Sequence, residues 1–325
     1  MRFFITILSF LLSLFINISL SYANSTNFFT PDWWKTATLE DVAKELANGT
    51  SVKERDEIGR TPLIVASGNN SNPEIITTLL KLGASVNERS EKGSTPLVLA
   101  SAYNQNPEII ITLLKHGASV KERSEIGSTP LMHASASNEN PEIIITLLKH
   151  GASVKERSKI GWTPLMHASR YNQNPEIIIT LLKHGASVRE RSKIGSTPLI
   201  LASGNNQNPE IITTLLKHGA SVNERDEDGW TALMCASRYN QNPEIITTLL
   251  KHGASVKERS IGGWTPLMFA SRYNENPEII TTLLKHGADA KAKSNVGKTA
   301  LDYAKDNPKI YQTEAYWELN QVMYE

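Results

Sequence analysis

The sequence predicts an all-helical solenoid built from short helix–turn–helix repeats, and three observations carry that prediction. Glycine recurs at Gly59, Gly93, Gly127, Gly161, Gly195, Gly229, Gly263 and Gly297, each step being 34 residues. A fixed period of roughly 20–50 residues marks a solenoid, propeller or array. Within most periods a Thr-Pro start and an Asn-Pro start, as at Thr163-Pro164 and Asn174-Pro175, each precede an apolar run with helical spacing, with Thr-Ala at Thr231 and Thr299. A second glycine, such as Gly185, then closes the second run where a left-handed helix end favours glycine.

Such an array grows by adding repeats that touch only their neighbours, so the 325 residues are expected to form one elongated domain. Lys and Arg total 34 against 33 Asp and Glu, which gives no electrostatic drive toward nucleic acid or anionic lipid. Cys235 is the one cysteine, so no intramolecular disulfide can form.

Residues 1–23 are set apart from the fold. Met1-Arg2 is a short basic start, residues 3–20 are apolar with a few polar interruptions, and Ser21-Tyr22-Ala23 offers the small residues of a cleavage site. This reads as a signal peptide that leaves Asn24 as the new N-terminus. The chain is therefore expected to be exported, periplasmic or secreted. An uncleaved membrane anchor is the other reading, and it is the only membrane contact that the sequence suggests. Residues 24–36 form a short leader containing Phe28, Phe29, Trp33 and Trp34, expected to fold back over the apolar end of the first repeat. Residues 37–58 carry Leu39, Val42, Ala43 and Leu46 at helical spacing and an Asn48-Gly49 stop, which is half a repeat and a natural N-terminal cap.

The body of a repeat is clearest from Gly161. Thr163 offers an N-cap hydroxyl before Pro164, and Leu165, Ala168 and Ser169 follow on a short inner helix with small residues. Asn174-Pro175-Glu176 repeats the start signal, with an acid in the positive first turn. Ile177, Ile178, Leu181 and Leu182 then make the wide apolar face of a longer outer helix that His184-Gly185 ends. The following Arg189-Glu190-Arg191 is expected to stand solvated in an extended finger.

GWTPLMHAS and LLKHGASV resemble the ankyrin repeat, whose signature is a G-x-TPLH-x-A helix start and an LLxxGA helix end. The resemblance covers residues 37–325 and implies seven full repeats over 59–296 and a capping repeat over 297–325. It also implies bacterial-type members exported by an N-terminal signal. Three departures stand out. The period exceeds the family's usual length by one residue, placed in the Asn-x-Asn-Pro turn. The histidine after TPL is replaced by Ile64, Val98, Met132, Met166, Ile200, Met234 and Met268. Serine, as at Ser158 and Ser192, often stands for the usual finger acid.

No catalytic, cofactor or metal site emerges. His116, His150, His184, His218, His252 and His286 occur one per repeat, and packed helices lie about 8–10 Å apart, too far for neighbouring rings to share an ion at about 2.0–2.1 Å. A histidine at a helix C-terminus instead suits the carbonyl end. His133 and His167 have no cysteine or clustered acid spaced to join them, and Cys235 reads as a buried thiol.

Information therefore lies where the repeats differ. Trp162, Trp230 and Trp264 follow the marker glycine in the same repeats that carry Arg170-Tyr171, Arg238-Tyr239 and Arg272-Tyr273, while Tyr103 occupies the tyrosine column alone. The resemblance places these columns on the finger and inner helix lining a concave groove. Trp, Arg and Tyr dominate interface hot spots. The expected function is a monomeric, non-catalytic scaffold that binds a protein partner there, rather than nucleic acid. The alternatives are columns that pack only on one another, with Arg as cation–π partner, and a structural or protective periplasmic protein without a single high-affinity ligand.

Overall fold

The computed structural model describes residues 27–324, so the expected signal segment and its cleavage point lie outside the described residues. These residues are helical without a strand, as the repeat pattern predicts. After a single turn at Asn27–Phe29 come α1 (Pro31–Thr36), α2 (Leu39–Ala47), α3 (Pro62–Asn69), α4 (Pro73–Lys81), α5 (Pro96–Tyr103) and α6 (Pro107–Lys115). The series continues with α7 (Pro130–Ser137), α8 (Pro141–Lys149), α9 (Pro164–Tyr171), α10 (Pro175–Lys183), α11 (Pro198–Asn205) and α12 (Pro209–Lys217). It ends with α13 (Ala232–Tyr239), α14 (Pro243–Lys251), α15 (Pro266–Tyr273), α16 (Glu278–Lys285), α17 (Ala300–Ala304) and α18 (Glu314–Tyr324).

Two compact units contain them. One comprises described residues up to 125 together with 149–152, and the other comprises 126–148 and 153–324. In the first, α3 packs on α5 and α4 on α6. In the second, the inner helices α7, α9, α11, α13, α15 and α17 pack in succession, as do the outer helices α10, α12, α14, α16 and α18.

Most helices begin at a side-chain cap, though Thr61 makes none before α3. Thr163 Oγ1 accepts from Met166 N–H at 3.4 Å, and Asn174 Oδ1 accepts from Glu176 N–H at 3.0 Å. At the other end Gly185 has φ +90°, and the N–H groups of Gly185 and Ala186 return to Leu182 and Leu181 carbonyls. Leu165, Met166, Ala168, Ile177, Ile178 and Leu181 are fully buried, each larger side chain contributing about 1.5–3 kcal/mol. The residues that replace the family's histidine, from Ile64 to Met268, are all buried, so hydrophobic packing takes over that position.

The extra residue of the period has a physical role. Asn206 ends α11, and its Nδ2 donates to Ser169 O at 3.1 Å and Asn172 O at 2.7 Å, both in the preceding repeat. Its Oδ1 accepts from Asn208 N–H at 2.9 Å. Asn172, Asn240, Asn274 and Asn307 repeat this arrangement, as does Asn104 in the first unit. A second asparagine bridges the same turn, as when Asn208 Nδ2 reaches Gln173 O at 2.8 Å. The result is a ladder of buried amide bonds that the inter-repeat joint cannot lose cheaply.

The fingers are exposed as expected, and they are also braced by one another. The Arg-Glu-Arg segment is not simply solvated, because Arg191 Nη1 donates to Gly195 O at 3.0 Å and to Arg225 O at 2.7 Å in the next finger, and Nη2 pairs with Glu224. Arg157 and Arg225 do the same with Glu190 and Glu258. A long side chain that meets a carbonyl one repeat away exchanges water for fixed acceptors. Serine also does the work of the missing finger acid. Ser158 Oγ accepts from Trp162 N–H at 3.2 Å, as Asp226 Oδ1 accepts from Trp230 N–H at 2.8 Å.

At the N-terminal end, Phe28 and Trp34 are fully buried, and Trp34 Nε1 donates to Phe28 O at 2.7 Å. Asn70 Nδ2 reaches Trp34 O and Ala37 O, the same bonds that Asn104 makes to Ser67 and Asn70. So α1 stands where the inner helix of a further repeat would stand, and the aromatic leader shields the apolar end of α3.

Candidate binding surface

The marker glycine sets each tryptophan. Gly161, Gly229 and Gly263 have φ of +80°, +76° and +74°, and the following residue is held by the serine or aspartate that takes its N–H. Arginine and tyrosine are the last two residues of α9, α13 and α15, and Arg170 and Arg238 lie over the tryptophan of their own repeat.

Three cradles result. In the first, Arg170 Cζ lies 5.3 Å from the ring centres of both Trp162 and Tyr171, and those rings are 6.2 Å apart. In the second, Arg238 lies 5.4 Å from Trp230, 5.0 Å from Tyr239 and 3.7 Å from Tyr273 of the next repeat. In the third, Trp264 and Tyr273 stack at 5.8 Å, but Arg272 Nη1 reaches Asp306 Oδ2 at 3.3 Å. The tryptophans are half-buried, whereas Tyr171, Tyr239 and Tyr273 are exposed, with Tyr239 54% accessible. Tyr103 is exposed too, with Ala102 and Ser94 where the cradles carry Arg and Trp.

Behind the cradles runs a column of which sequence reasoning read only His133, His167 and Cys235, and those singly. Four residues after each capping threonine of the second unit stand His133, His167, Leu201, Cys235, Phe269 and Tyr303. His167 meets Trp162 edge-on at 5.3 Å, Phe269 lies 4.4 Å from Trp230, and Tyr303 stacks on Trp264 at 4.1 Å. The available signal was size and polarity varying at a position that otherwise reads as core. A Cβ on Gly204 would meet Cys235 Cβ at 3.5 Å and Tyr239 Cδ2 at 3.7 Å, ordinary contact distances, so alanine would fit beside that ring.

Where repeat 127 carries only Ser128, Ala136 and Ser137, the face opens into a groove of about 560 Å³ walled by Ile126, His133, His167 and Tyr171. Both histidines are driven toward the neutral form. Burial lowers His133, and burial followed by the charge of His133 lowers His167 to about 4. Their Nε2 atoms are buried without a partner among the described residues. Burial pushes the Cys235 thiol up to about 12, which makes it inert. The helix-end histidines are structural, as His184 Nδ1 donates to Thr180 O at 2.8 Å and His218, His252 and His286 repeat the bond.

Family comparison agrees with the repeat geometry. Models described as ankyrin repeats (3 copies) match residues 35–124, 101–192 and 172–260, and one described as ankyrin repeats (many copies) matches residues 249–304. The chain belongs to the ankyrin repeat family. A comparison with curated proteins gives no match. Ankyrin repeats are in general non-catalytic protein–protein interaction modules, and the finger and inner-helix positions described above are where this ankyrin chain varies.

Proposed function

We propose that this ankyrin chain is an exported, non-catalytic scaffold, periplasmic or secreted, that grips a protein partner with its finger and inner-helix face. The contact residues are Trp162, Arg170 and Tyr171, Trp230, Arg238 and Tyr239, and Trp264, Arg272 and Tyr273 of the second unit, with Tyr103 at the equivalent repeat position in the first unit. One observation carries the reading: three tyrosines stay largely exposed beside half-buried tryptophans, a cost in apolar exposure that stability does not require. Aromatic and arginine anchors ordered before contact lose little entropy on binding.

A second reading has support from Trp230 on Phe269, Trp264 on Tyr303 and Arg238 on Tyr273, all contacts between repeats. These fit a structural or protective array with no single ligand. Affinity capture from the exporting cell's periplasm and medium separates the two, using the chain against a variant carrying Arg170→Ala, Tyr171→Ala, Arg238→Ala and Tyr239→Ala. Loss of one specific partner with an unchanged urea midpoint supports the binding face. A fall in stability with capture intact favours the structural array.

A further inference from the structure

We infer that Arg170 and Arg238 are carboxylate receptors, so the partner of this face presents an acidic segment whose side chains pair with them. This rests on the partner-binding reading above and names the chemistry of the partner.

The three cradles share one set of residues, and the third shows what the arginine does when an acid is within reach. Arg272 leaves the stack for Asp306, whose Oδ2 also lies 3.9 Å from Lys298 Nζ. Arg170 and Arg238 have no ion pair among the described residues, and each has a buried Nε–H without a hydrogen-bond partner. They lie instead against aromatic rings. The finger acid of the second cradle, Asp226, is engaged elsewhere, accepting the N–H groups of Asp228 and Trp230 on Oδ1.

A guanidinium is charged at every physiological pH, and a half-buried one without an anion forgoes its strongest interaction. Stacking offsets part of that loss and holds the plane of the group, and with Nε buried it is the terminal Nη pair that a carboxylate would meet. Asp306 identifies the fitting acceptor as a carboxylate. The near-zero charge balance, 34 basic against 33 acidic residues, provides no basic track for a nucleic-acid backbone. The two receptors are separated by one repeat, the one carrying Ser196, Gly204 and Asn205. Helix packing of about 8–10 Å per repeat puts them roughly 16–20 Å apart. An extended peptide covers that in about five or six residues.

Fluorescence anisotropy with labelled deca-glutamate tests the inference, with deca-glutamine as the neutral probe and unlabelled oligo-thymidylate as competitor, in low salt. Deca-glutamate is expected to bind and deca-glutamine not. Arg170→Gln and Arg238→Gln should each weaken binding roughly fivefold or more, and high salt should abolish it. Asp306→Asn frees Arg272 and should tighten binding, a gain that no folding defect mimics. The inference is overturned by wild-type affinity in the double Arg→Gln variant, by equal binding of deca-glutamine, or by oligo-thymidylate displacing the peptide at lower concentration. A natural partner still captured by the double Arg→Gln variant would sink the carboxylate assignment alone. Arginine-dependent deca-glutamate binding without any captured partner would instead sink the scaffold reading.

Discussion

Asn206 Nδ2 and the main-chain oxygen of Asn172 are 2.7 Å apart, and this contact joins two successive repeats through buried atoms. Asn206→Ala removes that bond, the one to Ser169 O and the one from Asn208 N–H, leaving two carbonyls of the preceding repeat unsatisfied. The expected cost is about 2–4 kcal/mol, read as a lowered urea midpoint. Asn205→Ala, one residue away and exposed, should cost under about 1 kcal/mol. Equal effects would refute the ladder.

Gly161 and Gly185 both have positive φ, yet only one is crowded. A Cβ on Gly161 would stand 2.9 Å from Lys193 N, whose N–H bonds Ile160 O in the neighbouring finger, while nothing lies within 4 Å at Gly185. Gly185→Ala should cost about 1 kcal/mol from backbone strain. Gly161→Ala adds a clash with main chain and should cost at least about twice that, by chemical denaturation.

Trp230 and Tyr239 share a cradle but carry different loads. Trp230 contacts Phe269 and Tyr239, so Trp230→Ala should destabilise by about 2–3 kcal/mol. Exposed Tyr239→Ala should cost less than about 1 kcal/mol. For this reason tyrosine and arginine, not tryptophan, are the positions at which to test binding.

His167 ties stability to pH. Its value is 6.5 in an unfolded chain and about 4 when folded, so between these values the unfolded chain holds more protons and stability rises with pH. Acidification from 6.5 toward 4 should therefore erode stability, by about 3 kcal/mol at most, and His133 acts in the same direction. His167→Leu should flatten this part of a curve of thermal midpoint against pH. An unchanged slope would mean that the ring is hydrated when folded.

The period, the two helix starts and the glycine stops were legible because each is a local rule, satisfied within a few residues of Thr163, Asn174 or Gly185. The Trp, Arg and Tyr columns were legible as variation on a constant frame, and the structure gathers the first two sets whole and the third without its arginine. What escaped depends on contacts one period away. Arg191 reads as a solvated charge and is exposed, but its acceptors, Arg225 O and Glu224, belong to the next finger and do not show in the local sequence. Asn206 reads as turn chemistry from sequence, and only three dimensions show its amide directed at Asn172. Phe269 and Tyr303 are buried, and that each supports a tryptophan of the preceding repeat is visible only in three dimensions.

Every bond that Asn206 and its counterparts send to the preceding repeat ends on a main-chain oxygen, so these bonds ignore the side chains of the repeat they hold. The asparagine part of the cohesion is thus independent of sequence variation, while the cradle residues add their own contacts between repeats. Excising residues 195–228 would leave Asn240 with equivalent acceptors on Ser169 and Asn172, and would bring Arg238 one step from Arg170 instead of two. The array is a ruler whose marks can be moved by whole divisions without cutting the wood.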